Sequence, residues 1–374
     1  MKKEYKLNFR GRDLVIEIGQ MAKQTDASVV TRYGDTVVLT TVVHSKEPID
    51  RDFFPLMVIY QEKLYAAGKI PGGFIKREGR PTDNATLASR LIDRPIRPLW
   101  PSGFYYDVQV INTVLSVDQD NAPEMAAMMG SSLALKLAGL PFAGPIAGAM
   151  VGRVNGEYII NPTVLEAEAS DLHLTVAGNI DAINMVEAEA DQVSEGDMLN
   201  AIMFGHEAIK ELIDFQNDII QDIKPGLFEY KLFEITEELY QTISKMVESQ
   251  MAEAIVIKDK TIRNNMLDTL HNNVNEYLMA TYTDEELKIK QKEAAIIFEK
   301  IEKKIVRKMI NQDGVRPDGR TSTDIRDLDS QIDLLPRTHG SALFTRGQTQ
   351  ALSITTLGAL NEYQILDGLS AEDS

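Results

Sequence analysis

The chain repeats itself near its two ends, and that repeat limits its fold more than any other feature. Thr31-Arg-Tyr-Gly-Asp-Thr-Val-Val-Leu-Thr40 lines up, with one gap, against Thr345-Arg-Gly-Gln-Thr-Gln-Ala-Leu-Ser353. A Gly-Arg pair precedes each at a comparable distance, Gly11-Arg12 and Gly319-Arg320. Two copies of one domain around an insert are the simplest architecture with this pattern. The length of 374 residues allows it, since a typical domain takes roughly 100 to 200 residues. The first copy fills residues 1–222 and the second begins at 313.

The first copy mixes strands and helices. Residues 14–18, 27–31 and 36–43 are β-branched runs, and Tyr33-Gly34-Asp35 predicts a hairpin between the last two. Residues 108–117 and 149–160 follow, the second folded at Asn155-Gly156, the dipeptide that most favours a type I′ turn. Gly144, Gly148 and Gly152 imitate a membrane dimerisation motif, but here they read as strand glycines. Helical spacing covers 83–93, with Thr82 or Asp83 as cap, and 124–137. Strands at 172–176 and 183–186 precede a strong helix over 194–220, where Leu199, Ile202, Ile209, Leu212 and Ile213 recur at helical intervals. From Pro225-Gly226 to Gly314 the chain has no glycine and is rich in Glu, Lys, Gln, Met and Ile. That predicts an all-helical domain over 223–312 whose charge runs are solvated faces. Asp313-Gly-Val-Arg-Pro-Asp-Gly-Arg320 ends it, and strand-like sequence resumes.

Composition removes several function classes. With no cysteine there is no disulfide, thiolate zinc site or cysteine nucleophile. Met-Lys-Lys-Glu-Tyr-Lys opens without an apolar run behind it, so no signal peptide is expected. The longest uncharged run, 137–152, is 16 residues and is broken by Gly139, Pro141, Gly144 and Pro145. A membrane helix needs about 20 apolar residues, so a soluble, cytoplasmic protein with no membrane partner is expected. The five histidines show no ligand spacing. Asp324, Asp327, Asp329 and Asp333 form the best carboxylate cluster and read as a solvated strand edge.

A net charge of −17 argues against nucleic acid wrapped over the whole surface. Between Glu62 and Arg97, however, eight Lys and Arg face four Asp and Glu, a local +4 that leaves −21 for the rest. Within it, residues 71–81 (Pro-Gly-Gly-Phe-Ile-Lys-Arg-Glu-Gly-Arg-Pro) put Phe74, Lys76, Arg77 and Arg80 on a Gly/Pro loop. One reading is a solvated turn. The other is a single-strand contact, because base–aromatic stacking contributes about 1–3 kcal/mol per base while cations hold the backbone. Arg90, Arg94 and Arg97 fall four and three apart and would share a helix face, although Pro95 limits that helix and Asp93 neutralises one of them. RNA contact and internal salt bridges both fit these three.

Longer motifs carry a family likeness. Asp52-Phe-Phe-Pro-Leu, Tyr65-Ala-Ala-Gly-Lys-Ile-Pro-Gly-Gly-Phe, Arg77-Glu-Gly-Arg-Pro, Arg90-Leu-Ile-Asp-Arg-Pro-Ile-Arg-Pro-Leu99, Phe204-Gly-His206 and Leu335-Pro-Arg-Thr-His-Gly-Ser-Ala-Leu-Phe-Thr-Arg-Gly-Gln-Thr-Gln350 run in collinear order along the entire chain. The chain thereby resembles bacterial polynucleotide phosphorylase. The resemblance implies an α+β fold: a ribonuclease PH-like domain of mixed sheets with helices over 1–222, the all-helical domain, and the start of a second ribonuclease PH-like domain over 313–374. It implies a homotrimeric ring around a channel for single-stranded RNA, with other RNA-degradation proteins as further partners. The implied reaction is 3′-to-5′ phosphorolysis in mRNA degradation: inorganic phosphate attacks and nucleoside diphosphates leave, reversibly as template-independent polymerisation. Mg²⁺ is the implied cofactor.

The family's phosphate-holding serines, metal-binding aspartates and arginine pair correspond to positions beyond Ser374. No catalytic residue or metal ligand is therefore assigned here, and Mg²⁺ is expected on residues outside this chain. At the matching place in the first domain, ahead of Gly130-Ser-Ser, stand Ala122, Pro123 and Glu124 instead of serines. The first domain is expected to be non-catalytic and this fragment inactive alone, with a non-catalytic RNA-binding ring scaffold as the alternative. The RNA-binding residues implied are Phe74, Lys76, Arg77, Arg80, Arg90, Arg94 and Arg97. The family's loop carries two aromatics and two arginines, where this chain has Ile75 and Lys76 in the pattern. Finally, the apolar face of the hairpin over 341–357 is expected to lie open, because the strands and helices that would bury it fall outside the chain.

Overall fold

In a computed structural model of the chain, residues 2–51, 53–71, 78–359, 362 and 368–369 are described. The chain forms two compact units, one comprising Met1–Phe233 with Gln364–Ser374, the other Glu234–Tyr363.

The first unit opens with β1 (Lys3–Phe9), β2 (Arg12–Ile18), β3 (Ala27–Tyr33), β4 (Thr36–His44) and β5 (Leu56–Gln61). Helix α1 (Asp83–Ile96), β6 (Val108–Ser116) and α2 (Pro123–Leu137) follow. The six strands make one sheet in the order β1-β2-β3-β4-β6-β5, antiparallel except for the parallel β5–β6 pair. A second sheet, ordered β10-β9-β7-β8, uses β7 (Ala147–Val154), β8 (Glu157–Ile160), β9 (Leu172–Gly178) and β10 (Ile183–Ala190). Two more helices complete the unit, α3 (Val164–Glu168) and α4 (Glu195–Ile223). The tight turns sit where chemistry predicts them: Asn155 and Gly156 both take positive φ (52° and 84°) between β7 and β8.

Helix α2 lies in the middle. Met125 to Leu135 are all buried, as expected of a helix apolar all round. Gly130 brings it onto the first sheet, where an added Cβ would stand 2.4 Å from Thr40 Oγ1. Gly148 lets the second sheet approach from the other side, its absent Cβ lying 2.7 Å from Met128 Sδ. Ser131 donates to Asn112 Oδ1 at 3.0 Å, and Ser132 accepts from the Ile146 amide at 2.8 Å. In α4, Gly205 allows contact with Val176 and Val151, and His206 Nε2 reaches the Asn179 carbonyl at 3.0 Å, a structural role.

The first stretch of the first unit runs to Phe233, past the expected boundary at 222, and aromatic packing is the reason. After α4 the extended residues 224–233 lie back along the unit, with Phe228 against His44 and Tyr106, Tyr230 against Phe104, and Phe233 against Tyr105. The amides of Phe228 and Phe233 donate to the carbonyls of Gly139 and Gly103.

The second unit begins with three helices, α5 (Glu237–Ile255), α6 (Lys260–Thr281) and α7 (Asp284–Lys308), around Leu239, Ile243, Val247, Leu278, Ile297 and Ile301. Asp259 caps α6 through the Ile262 amide, and Thr283 with Glu286 forms a capping box on α7. A π-helical turn, Met309–Asp313, leads to an antiparallel meander of β11 (Leu328–Ile332), β12 (Gly340–Arg346) and β13 (Thr349–Thr355). The helices and this small sheet, separated at 313 by the sequence reading, fall in one unit. Apolar side chains on the meander are open, with Leu352 52%, Ile354 56% and Ile332 75% exposed. Among the described residues no helix is long and apolar enough to cross a membrane.

Candidate nucleic-acid interface

Of the expected RNA-binding residues, Phe74, Lys76 and Arg77 lie outside the described residues. What the structure places is the base of their loop. The outgoing side is a 3-10 turn, Leu64–Ala67, ended by Gly68 in the left-handed region (φ 69°). On the returning side Glu78, itself at positive φ (57°), accepts the Leu64 amide at 2.9 Å and pairs with Lys63 at 3.2 Å. The amide hydrogen bond, reinforced by Lys63, holds the Glu78 carboxyl below its usual range. Thr82 donates to Glu62 at 2.6 Å while accepting from the Ala85 amide as the cap of α1. A cleft of about 280 Å³ lies against this base, with Tyr60, Glu62, Lys63 and Arg80 in its wall.

The cations divide into two kinds. Arg97 is committed: its guanidinium grips both Asp93 oxygens at 2.6 and 2.8 Å and donates to the carbonyls of Phe54 and Leu56. Arg94 pairs with Glu187 on β10 at 3.0 Å. Arg80 and Arg90 are exposed and make no hydrogen bond or ion pair among the described residues. Helix α1 runs through Pro95 to Ile96, since a proline in the last turn removes only one late hydrogen bond. The spacing that set three arginines on one face thus leaves Arg90 open and draws Arg94 and Arg97 into the fold. Sequence reasoning missed Glu78 as the loop's anchor, and nothing local to Arg-Glu-Gly marks it.

The start of α2, close to Tyr60 and Glu62 of that cleft, has the opposite character. The loop before α2 is tied to the β3–β4 hairpin: Thr36 donates to the Asn121 carbonyl at 2.7 Å, and Asn121 donates to Asp118 at 2.6 Å. Arg12 reaches in from β2, donating to Asn121 Oδ1 and to the carbonyls of Asp120 and Asn161. Ala122 caps nothing, Pro123 has no amide to offer, and Glu124 occupies the first turn. Burial pushes the Glu124 carboxyl above its usual range, and the charge of Glu62 adds to the rise. Beside it the Tyr60 hydroxyl is buried without a partner among the described residues, its ionisation suppressed by burial. A helix N-terminus normally welcomes an anion. This one carries Glu124 in its first turn, and residues 122–124 offer phosphate no serine hydroxyl. Among the described residues, no three His, Asp or Glu side chains gather to hold a metal ion.

Comparison with known proteins assigns three parts of the chain to family models. Residues 10–141 match the 3′ exoribonuclease family, domain 1, and residues 144–208 match its domain 2. These correspond to the six-stranded and four-stranded sheets of the first unit. Residues 238–321 match the polyribonucleotide nucleotidyltransferase RNA binding domain. A polyribonucleotide nucleotidyltransferase of Bacillus cytotoxicus is 56% identical over 374 residues, covering 100% of this chain and 52% of that protein. One of Bacillus anthracis is 55% identical over 373 residues with the same coverage. The chain spans about half the length of the curated relatives it matches. A crystal structure of rice Rrp46 overlays with a TM-score of 0.45 at 17% identity, covering 59% of this chain and 95% of that one.

Proposed function

We propose, for a chain that belongs to the polyribonucleotide nucleotidyltransferase family, that its first unit holds and steers single-stranded RNA. It does so for a 3′-to-5′ phosphorolysis whose bond-breaking residues lie outside this chain. In that reading inorganic phosphate attacks, nucleoside diphosphates leave, and the reverse reaction polymerises without a template, in the service of mRNA degradation. Mg²⁺ would offset phosphate charge on residues outside this chain. Three copies form the ring through which the strand passes, and the setting is the cytoplasm, alongside other RNA-degradation proteins.

The observation that carries this reading is a contrast of charge within the first unit. Among the described residues Arg80 and Arg90 are unpaired beside the anchored base of the loop, while the start of α2 carries Glu124 in its first turn. Cations without internal partners hold a phosphodiester backbone at little cost, because no salt bridge must first be broken. Phe74 supplies a stacking face, and Lys76 and Arg77 further charge. The acidic helix end equally favours a second reading, a ring scaffold that binds RNA without chemistry.

Fluorescence anisotropy with labelled oligo(A) tests the binding. Arg80→Ala/Arg90→Ala flattens the dependence of log Kd on log salt by about 0.7 for each phosphate the two arginines no longer neutralise. Phe74→Ala weakens binding by about 1–3 kcal/mol with the salt slope unchanged. Unchanged affinity in both variants removes the reading. The 374-residue chain releases no nucleoside diphosphate from poly(A) with phosphate and Mg²⁺, and robust release would sink the division of labour. A protein of the relatives' length that binds oligo(A) but does not phosphorolyse it selects the scaffold.

A further inference from the structure

We infer a second phosphate-binding site, in the second unit, in a cleft of about 760 Å³ between the start of α6 and the turn that joins β12 to β13. Five cations line it: Lys258, Lys260, Arg263, Arg320 and Arg326. Three carboxylates share the lining, and two of them are already engaged. Asp318 is held by Arg320 at 2.8 Å and by Arg326 at 3.4 Å. Asp324 is turned onto the Thr321 amide at 2.7 Å. Asp327 alone keeps a side chain with no partner among the described residues, although its carbonyl accepts the Gly347 amide.

On the cationic side the balance is different. Arg263 donates through Nη1 to the Ile257 carbonyl, and no other bond of its guanidinium is made among the described residues. Lys258 and Lys260 are exposed and have no hydrogen bond or ion pair there. Lys258 is nevertheless placed: its Cε lies 3.6 Å from where a Cβ on Gly319 would stand, so its stem runs beside the 317–319 turn. The amide end of α6 is already capped by Asp259 and is not needed. Two free ammonium groups and one part-used guanidinium around an open cleft are what a phosphodiester or a nucleotide phosphate requires. The site shares no residue with the 62–97 segment, and takes from the reading above only RNA as one source of the phosphate.

The test uses the full 374-residue chain with two probes, labelled oligo(A) and ADP. Lys258→Gln/Lys260→Gln weakens oligo(A) about fivefold to tenfold at low salt and flattens the salt slope by about 1.4, two phosphates at roughly 0.7 each. Lys258→Arg/Lys260→Arg restores both. Weakened ADP binding alone identifies a free nucleotide as the source, and weakened oligo(A) alone identifies the RNA backbone. The same affinity and slope for both probes in the Gln variant overturns the site. If Arg80→Ala/Arg90→Ala loses RNA while the Gln variant does not, only this site falls. If the parent chain binds neither probe, both proposals fall together.

Discussion

The β3–β4 hairpin and the β12–β13 hairpin carry similar short sequences in two different surroundings. Both close with a two-residue turn, Gly34-Asp35 between paired Tyr33 and Thr36, and Gly347-Gln348 between paired Arg346 and Thr349. Both turn glycines take the left-handed conformation, at φ 59° and 63°. The leading Gly-Arg pairs agree as well, with Gly11 at 81° and Gly319 at 76°. The copies part where tertiary partners begin. In the first, α2 covers the hairpin, and Arg12 joins the β2 edge to the loop before that helix. In the second, Arg320 turns to its own neighbours, Asp318 and the Asp324 carbonyl, and the strands stay bare. Local chemistry writes the hairpin, and burial is added separately by whatever packs on it.

Three substitutions sharpen or break that contrast. The largest effect belongs to Ile16→Ala in β2, which is 0% exposed and should cost about 2–5 kcal/mol. Trp100, the chain's one tryptophan, sits among Phe54, Phe104 and Phe142 of the first unit, so its fluorescence during urea unfolding reads that unit alone. A loss below about 1 kcal/mol would mean that the sheet holding the first hairpin, where β2 pairs with β3, is no better covered than the second hairpin.

An intermediate effect, of opposite sign, is expected for Glu124→Gln. Burial raises the folded-state pKa of Glu124, so the folded form holds its proton more tightly than the unfolded form. Its contribution is therefore fully present below the ordinary glutamate pKa and is lost as pH rises through the raised value. At pH 7 the amide removes that cost, and the thermal midpoint read by Trp100 should rise by about 2–4 °C per kcal/mol recovered. The gain should vanish in acid, and a pH-independent difference would refute the burial argument. The smallest effect is Leu352→Ala on β13, expected within about 0.5 kcal/mol by circular dichroism, because half its side chain already meets solvent. A loss of about 2 kcal/mol or more would show that the second hairpin is covered in solution.

The parts of this fold legible in the sequence are those whose cause is local. Asn155-Gly156, the β-branched runs of β3 and β4 and the apolar period of α4 each act within a few residues. Strand β1 escaped because Lys, Glu and Asn alternate through it and only Phe9 is fully buried. Strand β5 escaped because it pairs in parallel with β6, a contact made across α1 and without a turn to announce it. At the candidate site the local charge excess was legible. Which arginines remain free was not, since the partners Glu187, Phe54 and Leu56 are supplied by distant strands and loops. The boundary at Phe233 likewise depends on rings at 44, 104, 105 and 106 that no window of sequence includes.

That extended segment also sets an order in time. A chain made from its N-terminus has both sheets of the first unit by Ala190, yet Tyr106 and Phe104 lack their covering rings until Phe228 and Tyr230 emerge. Vectorial synthesis thus delivers this covering segment after both sheets and just before the helices of the next unit. A nascent chain arrested at Ile223 should be far more open to protease than one arrested far enough past Phe233 for that residue to clear the ribosome.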